Sequence, residues 1–412
     1  MLSENTIKVI KSTVPVLEVH GEAITSHFYK TMFTHHPELL NIFNHANQKQ
    51  GRQQAALANM VYAAALHIDN LAAVLPAVRQ VAHKHRSLGI APEQYEIVGT
   101  YLLKAIKDVL GDAATDEIIA SWAEAYGVIA SVFIDMEKDL YEATESQSGG
   151  WEGFRFFRVA KKIKESEMIT SFYLVPTDSK PIATYQPGQF ISLRMKPEGS
   201  TYTQIRQYSL SDAPGKPYYR ISVKREGALA DRPDGVISTY LHDHIAEGDL
   251  VELSAPAGDF TLKTEDSRNV VLLSGGVGLT PMISMLNTLV ASPAQRHITF
   301  IHAALNGGTH AFRDHVSTLT EQHEGIQTFY CYTQPTPDDR AKSRFHKEGY
   351  IDAAWLSQII RQPHDSNYYL TGPIPFMQAA YAALCEIGVS PEFIHYEFFG
   401  PKTNLIPVAE GI

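Results

Sequence analysis

Ser146-Gln-Ser-Gly-Gly150 is where the hydrophobic period of the chain changes. The stretch has no apolar anchor and two adjacent glycines, and it reads as a linker. Before it, apolar residues recur at helical spacing: Leu17, Gly21, Ile24 and Phe28 form one stripe, and Leu57, Met60, Val61 and Ala64 a second. Tyr95, Val98, Leu102, Ile106 and Val109 form a third, and Ile118, Trp122, Ala125, Ile129, Phe133 and Leu140 a fourth. Pro37, Pro76, Pro92 and Gly111-Asp112 supply stops and starts. The pattern predicts an all-α domain over 1–147. After the linker the period is two. Strand-like runs at 156–160, 189–193, 219–224 and 249–253, separated by Pro/Gly turns, predict an antiparallel β-barrel domain over 148–262. From 263 to 412 strands alternate with helices: strands at 270–273, 298–301 and 368–370, a helix from Pro281 and another near Phe376. That alternation predicts a doubly wound α/β domain with a parallel sheet.

A chain of 412 residues, 44% hydrophobic and 19% charged, is long enough for three domains with cores of their own. It has two cysteines, Cys331 and Cys385, which excludes a disulfide framework and a cysteine-ligated cluster. The net charge of -10 argues against a nucleic-acid partner. The N-terminal segment lacks the long apolar core of a signal peptide, and no run of about 18 apolar residues occurs. A cytoplasmic, monomeric protein without obligate membrane association is expected.

Three clusters carry chemistry. In the segment from Pro76 to Leu88, His85 follows Val81 by four residues and Ala82 by three, so it shares their inward face, whereas His83 lies roughly 200° around the helix and is expected to face solvent. An inward imidazole is either a hydrogen-bonded core residue or an iron ligand. Gln53 lies on the apolar stripe of its helix, Tyr95 opens the stripe after His85, and Tyr29 sits beside Phe28; with Phe43 these residues fit a globin in which His85 ligates haem and Tyr29, Gln53 and Leu57 line the opposite side. The loop Ser274-Gly-Gly-Val-Gly-Leu-Thr-Pro281 follows an apolar strand, with Thr280 expected as N-cap and Pro281 as first helical residue. Gly275, Gly276 and Gly278 let backbone amides, with Val277, Leu279, Thr280 and Pro281, meet a pyrophosphate at a helix N-terminus; the alternative is a tight strand-to-helix turn. Arg206-Gln207-Tyr208-Ser209 lies on a predicted strand, where an Arg can grip a pyrophosphate and a Tyr can lie along an isoalloxazine.

The barrel followed by the glycine loop resembles the ferredoxin reductase family, in which RxYS binds FAD and GGxGxTP binds the nicotinamide dinucleotide. With the helical domain, the whole chain resembles the flavohaemoglobins. Matching stretches include His27-Phe-Tyr, Pro37-Glu-Leu, His83-Lys-His85, Pro92-Glu-Gln-Tyr95, Gly149-Gly-Trp-Glu-Gly153, Pro187-Gly-Gln189, Ala255-Pro-Ala-Gly-Asp-Phe260 and His395-Tyr-Glu397. The resemblance implies haem b held by His85, with Tyr95 and Glu137 bonded to its imidazole, and Lys84 and Glu397 tuning the redox centres. It places FAD against Phe190, the Arg206 to Ser209 strand, Gly235, Val236, Ser238, Phe398, Phe399, Gly400 and Pro401, and the dinucleotide also against Gly372 and Pro373.

The implied activity is nitric oxide dioxygenation: NADH, with NADPH left open by Arg313, reduces FAD, FAD reduces haem, and reduced haem with dioxygen converts nitric oxide to nitrate. A haem-linked flavin reductase of hydroperoxides or nitrosylated species, and an oxygen- or gas-sensing globin, are the alternatives. The chain departs from the family pattern at Phe190, where a Tyr is usual, and at Thr371 and Phe398, where Cys is usual. Residues 226–238 form a longer segment than the family's commonest form.

Overall fold

The computed structural model describes residues 2–228, 234–293 and 296–400. Residues 229–233 of the long segment, and Pro401, lie outside the described residues. The chain forms two compact units, one of Met1–Arg155, Ser192–Arg206 and Glu252–Asp259, the other of Phe156–Ile191, Gln207–Val251 and Phe260–Ile412.

The first unit contains six α-helices: α1 Glu4–His35, α2 His45–Lys49, α3 Arg52–Leu66, α4 Leu75–Leu88, α5 Glu93–Leu110 and α6 Asp116–Ser146. Side-chain caps start the two longest, Ser3 accepting from the Thr6 amide and Thr115 from that of Ile118. Gly89, at φ 76°, ends α4 in the left-handed conformation that spares glycine a Cβ penalty. The core joins Ile10, Leu17, Ile24, Phe28 and Met32 of α1 to Ala65, Leu102, Ile106, Trp122 and Ala125 of α3, α5 and α6. Gly21 meets Ala58, so the α1–α3 contact is made by small residues, and Leu57 and Val61 remain only partly buried beside it. Among the described helices only α6 is long and apolar enough to cross a membrane, and it packs against α1, α4 and α5.

His83 does not stand free in solvent as its helical position predicts. His83 is half-buried, and its Nδ1 accepts from the Gly258 amide at 3.3 Å. The side of α4 away from His85 is also covered: Arg86 donates to the carbonyls of Ala255, at 3.0 Å, and Pro256, and the Ser87 and Ser192 hydroxyls are 2.9 Å apart. A helical wheel finds the side opposite the helical core, and here that side has a second neighbour.

Six further strands, β1 Phe154–Lys164, β2 Ile169–Pro176, β3 Phe190–Met195, β4 Gln204–Ser209, β5 Tyr219–Lys224 and β6 Leu250–Ser254, form one antiparallel sheet in the order β4-β3-β6-β1-β2-β5. An antiparallel bridge from Leu210, just past β4, to Ile221 of β5 joins the two ends of that order, as barrel closure requires. Helix α7, Val236–His244, lies between β5 and β6 in the chain.

The remainder alternates as β7 Asn269–Gly275, α8 Leu279–Ala291, β8 Ile298–Ala304, α9 Arg313–Gln322, β9 Ile326–Tyr332, α10 Pro337–Ala341, β10 Lys347–Glu348, α11 Ala353–Ile359, β11 Ser366–Thr371, α12 Ile374–Glu386 and β12 Ile394–Glu397. The sheet order is β10-β9-β8-β7-β11-β12, with parallel pairing throughout. The chain steps outward from β7 and then returns to β7's other side at β11. That reversal leaves a crevice outside the carboxyl ends of β7 and β11, the place where open α/β sheets bind ligands. The expected cap is corrected as well. A 3₁₀ turn, Gly276–Gly278, runs directly into α8, so Leu279 is its first residue and Pro281 its third. The Thr280 hydroxyl donates back to Val277 O at 3.1 Å from inside the helix. Two glycines in the turn, Gly276 and Gly278, let the backbone coil without a separate cap.

Candidate active site

His85 lies in the last turn of α4, Tyr95 in the first turn of α5, and Glu137 in the C-terminal half of α6, so three elements converge on one imidazole. His85 Nδ1 is 2.8 Å from Glu137 Oε1 and 3.0 Å from the Tyr95 hydroxyl, which itself donates to Glu137 Oε1 at 2.6 Å. Burial, reinforced by the Glu137 hydrogen bond, pushes the Tyr95 hydroxyl far above the ordinary phenol range, so it stays a donor. Because the Tyr95 proton points to the carboxylate, Nδ1 carries a proton of its own and gives it to the same oxygen. Nε2, on the opposite edge of the ring, keeps its lone pair. The His85 side chain is 30% exposed while Glu137 is 4% exposed, so the ring fronts open space with its back fixed in the protein. This is the donor set and orientation a haem-ligating imidazole requires.

Two residues not singled out in the sequence hold this arrangement from behind. The Tyr126 hydroxyl donates to Tyr95 O at 2.6 Å, and that of Tyr141 to Ile90 O at 2.9 Å. A Cβ on Gly99 would run into the Tyr126 ring, so the glycine sets how closely α5 approaches α6. Tyr126, Phe133, Glu137 and Tyr141 fall on one stripe of α6, which is the signal that could have found them. Phe133 covers both His85 and Tyr95, with ring centroids at 5.9 and 6.1 Å.

Tyr29 is buried, and loss of water raises its hydroxyl far above the ordinary phenol range although the Gln53 side chain hydrogen-bonds to it. Its ring stacks on Phe33 at 5.7 Å and meets Phe43 edge-on at 5.8 Å. Leu57, one turn beyond Gln53 on α3, is partly buried. The structure therefore brings Tyr29, Gln53 and Phe43 into one cluster. Lys84 is half-buried on α4 next to His85.

At the crevice between β7 and β11, glycine is dictated by contact. A Cβ on Gly278 would lie 2.5 Å from Thr371 O, and one on Gly275 or Gly372 would strike the Phe376 ring. Gly276 differs, with φ +54° and open space above it. The Thr371 hydroxyl donates to Gly278 O, tying the end of β11 to the turn before α8. With Pro373 capping α12, the two loops are locked together into a cradle of glycine backbone just before α8, open above Gly276. That cradle fits a dinucleotide pyrophosphate.

Flavin candidates occupy several elements. Arg206, Gln207 and Tyr208 are half-buried on β4 and Ser209 is buried. Arg206 donates to Ile205 O at 2.7 Å and to Gln204 Oε1 at 3.3 Å. Gly235 caps α7, with the Ser238 hydroxyl donating to Gly235 O at 3.1 Å and accepting from the Glu226 amide at 3.2 Å. A Cβ on Gly235 would press on Ser238 and Glu226, so the tight turn that presents Val236 needs glycine. Phe190 opens β3; Glu397 ends β12, buried; Phe398 packs edge-on against Tyr396, and Phe399 and Gly400 are exposed.

A helical unit that aims an imidazole, a closed antiparallel sheet and a dinucleotide-type crevice together define a haem globin joined to a flavin- and nicotinamide-dependent oxidoreductase. Residues 26–133 match the globin family, 157–262 the oxidoreductase FAD-binding domain and 272–382 the oxidoreductase NAD-binding domain. A flavohemoprotein of Bacillus thuringiensis subsp. konkukian is 54% identical over 98% of this chain and 100% of its own length. The crystal structure of a flavohemoglobin from Malassezia yamatoensis, with bound FAD and haem, superposes at a TM-score of 0.83 with 28% identity, covering 97% of this chain and all of that one. The FAD/NAD-binding domain of a nitric oxide dioxygenase from Vibrio cholerae is 42% identical, with a TM-score of 0.54 over 60% of this chain and 99% of that one. The chain belongs to the flavohemoprotein family. Its cofactors are haem, FAD and a nicotinamide dinucleotide.

Proposed function

We propose that the chain is a nitric oxide dioxygenase that detoxifies nitric oxide to nitrate at the expense of NAD(P)H. The observation that carries this reading is the carboxylate on the back of His85, 2.8 Å from Nδ1. A simple reversible oxygen carrier needs only an imidazole, whereas a partial imidazolate pushes electron density toward the metal and favours oxygen activation. When bound, haem supplies the oxygen-binding centre, and FAD splits the hydride of NAD(P)H into single electrons. Nitric oxide, dioxygen and one electron balance to nitrate, so each hydride serves two turnovers.

The chain's own residues provide the rest. Glu137 takes the Nδ1 proton's hydrogen bond, and Tyr95 keeps that carboxylate oriented. Tyr29, protonated and steered by Gln53, offers a donor to a diatomic ligand, while Phe43 and Leu57 keep water from the same space. The Arg206 to Ser209 strand, Phe190, the Gly235-Val236 turn with Ser238, and Phe398 to Gly400 hold the flavin. The Gly275 to Pro281 turn with Gly372 and Pro373 holds the dinucleotide. Lys84 and Glu397 tune the redox centres from beside them.

The test reduces the holoprotein with NADH without oxygen, then adds oxygen and nitric oxide while haem and flavin spectra and nitrate are recorded. Stoichiometric nitrate with one NADH per two nitric oxide molecules is expected. Haem that stays ferric while flavin bleaches overturns the relay. Faster NADH consumption with hydroperoxides or nitrosothiols than with nitric oxide in air overturns the substrate.

A further inference from the structure

A cavity of about 360 Å³ opens in the helical unit beside Tyr29, walled by Tyr29, Phe33, Leu40 and Tyr202, with Ser26 and the exposed Lys30 and Lys49 also lining it. No carboxylate lines it, and neither lysine forms an ion pair among the described residues. Gln48 and Gln54 also line it. Gln54 Nε2 donates to both Gln48 Oε1 and Gln48 O at 3.1 Å, which leaves Gln48 Nε2 and Gln54 Oε1 buried with no partner in the protein. His45, the remaining ring at the wall, is already committed: Nε2 donates to Leu40 O at 2.6 Å and Nδ1 faces the Gln204 amide at 3.3 Å.

Two ammonium groups with no carboxylate beside them and an orphaned amide donor, set around a hollow whose other walls are mainly the rings of Tyr29, Phe33 and Tyr202 and the Leu40 side chain, call for an occupant that is negative, small and rich in acceptors. Unpartnered buried donors are rare enough to demand a reason, and like charges left together without a carboxylate favour an anion between them. From these residues we infer that the cavity binds a small monovalent oxyanion, and that it serves as the exit for nitrate. Lys30 and Lys49 supply the charge and Gln48 Nε2 a hydrogen bond, while Gln54 Oε1 accepts from a water that travels with the ion. The wall it shares with the distal pocket is Tyr29 itself. Both gaseous reactants are neutral and cross apolar walls freely; the product is charged and is poorly solvated in an apolar pocket. A cationic rim one side chain away selectively favours departure of the product over that of the reactants. The binding site rests on the cavity's own residues, and its exit role rests on the dioxygenase reading.

The test titrates nitrate into the holoprotein by calorimetry, in low-chloride buffer, for the wild type, the Lys30→Met/Lys49→Met double variant and the Lys30→Arg/Lys49→Arg double variant. Saturable binding is expected in the wild type, with the dissociation constant raised at least about tenfold in the Met pair and restored in the Arg pair. Crystals soaked in bromide are expected to show an anomalous peak within reach of Lys30, Lys49 and Gln48. Equal affinity in wild type and the Met pair, or no saturable binding, overturns the site. Nitrate added during nitric oxide turnover is expected to inhibit the wild type about tenfold more strongly than the Met pair; equal inhibition of both overturns the exit role. A protein that makes no nitrate fails the dioxygenase reading while leaving the calorimetric result standing, so the two failures are distinguishable.

Discussion

Glu137 shows how much one side chain depends on its partners. A carboxylate at 3% exposure costs several kcal/mol in lost hydration, and a hydrogen bond to a charged group returns about 1.5–3 kcal/mol. One donor does not cover the cost, and two do, which is why Tyr95 and His85 both point at it. Glu137→Gln keeps an acceptor and removes the charge. It should lower the iron–histidine stretching frequency and reduce turnover by about 10–100-fold; an unchanged frequency and rate would contradict the proposed role.

His302 makes a prediction of another kind. Fully buried, with Nδ1 2.9 Å from the Ser274 hydroxyl, it is pushed down to about 4 by loss of water. The unfolded chain takes up a proton near 6.5 that the native state refuses, so this stabilisation is complete above that value and is lost as pH falls toward 4. The loss amounts to about 3 kcal/mol. Denaturant unfolding of the reductase portion at neutral and mildly acid pH should show the loss, and His302→Gln should flatten it; an identical slope in the variant would rule this titration out. None of these partners is local in sequence: Glu137 reads as a helix-face charge, and only the family resemblance singled it out.

Among elements, the two loops at the ends of β7 and β11 act as one piece, since Gly278 and Thr371 touch through backbone and hydroxyl. Gly278→Ala forces them apart, at an overpacking cost of about 1–3 kcal/mol, whereas Gly276→Ala meets open space and carries only backbone strain of roughly 1 kcal/mol. NADH affinity measured by flavin reduction should therefore fall about tenfold or more for Gly278→Ala and less for Gly276→Ala, with carbon monoxide binding to haem unaltered in both. The reverse order would show that the loops are not coupled. The glycine turn was legible because strand, glycines and helix are contiguous. Thr280-Pro281 has the residues of a cap and predicts a later start for α8, whereas the glycines before it already coil and the helix begins at Leu279. Strand β2 escaped the alternation rule because Thr170 and Ser171 are buried along with Ile169 and Phe172; buried polar residues disguise a strand that has no solvent face.

At the scale of the molecule, the chemistry is divided between parts of the chain that meet different cofactors. His85→Ala should abolish haem-dependent turnover and leave NADH-to-flavin reduction intact, as read by stopped-flow flavin bleaching; equal loss of both would deny that division. The sequence alone determined the change from helical to strand period at Ser146 to Gly150, the helix that carries His85, the glycine turn and the Arg206 to Ser209 strand, because each is written in neighbouring residues whose spacing a helix or strand makes periodic. Only the tertiary structure decided that Nδ1 of His85 meets a carboxylate 52 positions away, that His83 is covered by Gly258, and that two lysines and an orphaned amide surround a cavity against Tyr29. Those contacts join elements far apart in the chain. Local spacing says which face a side chain takes and nothing about what the fold brings to that face.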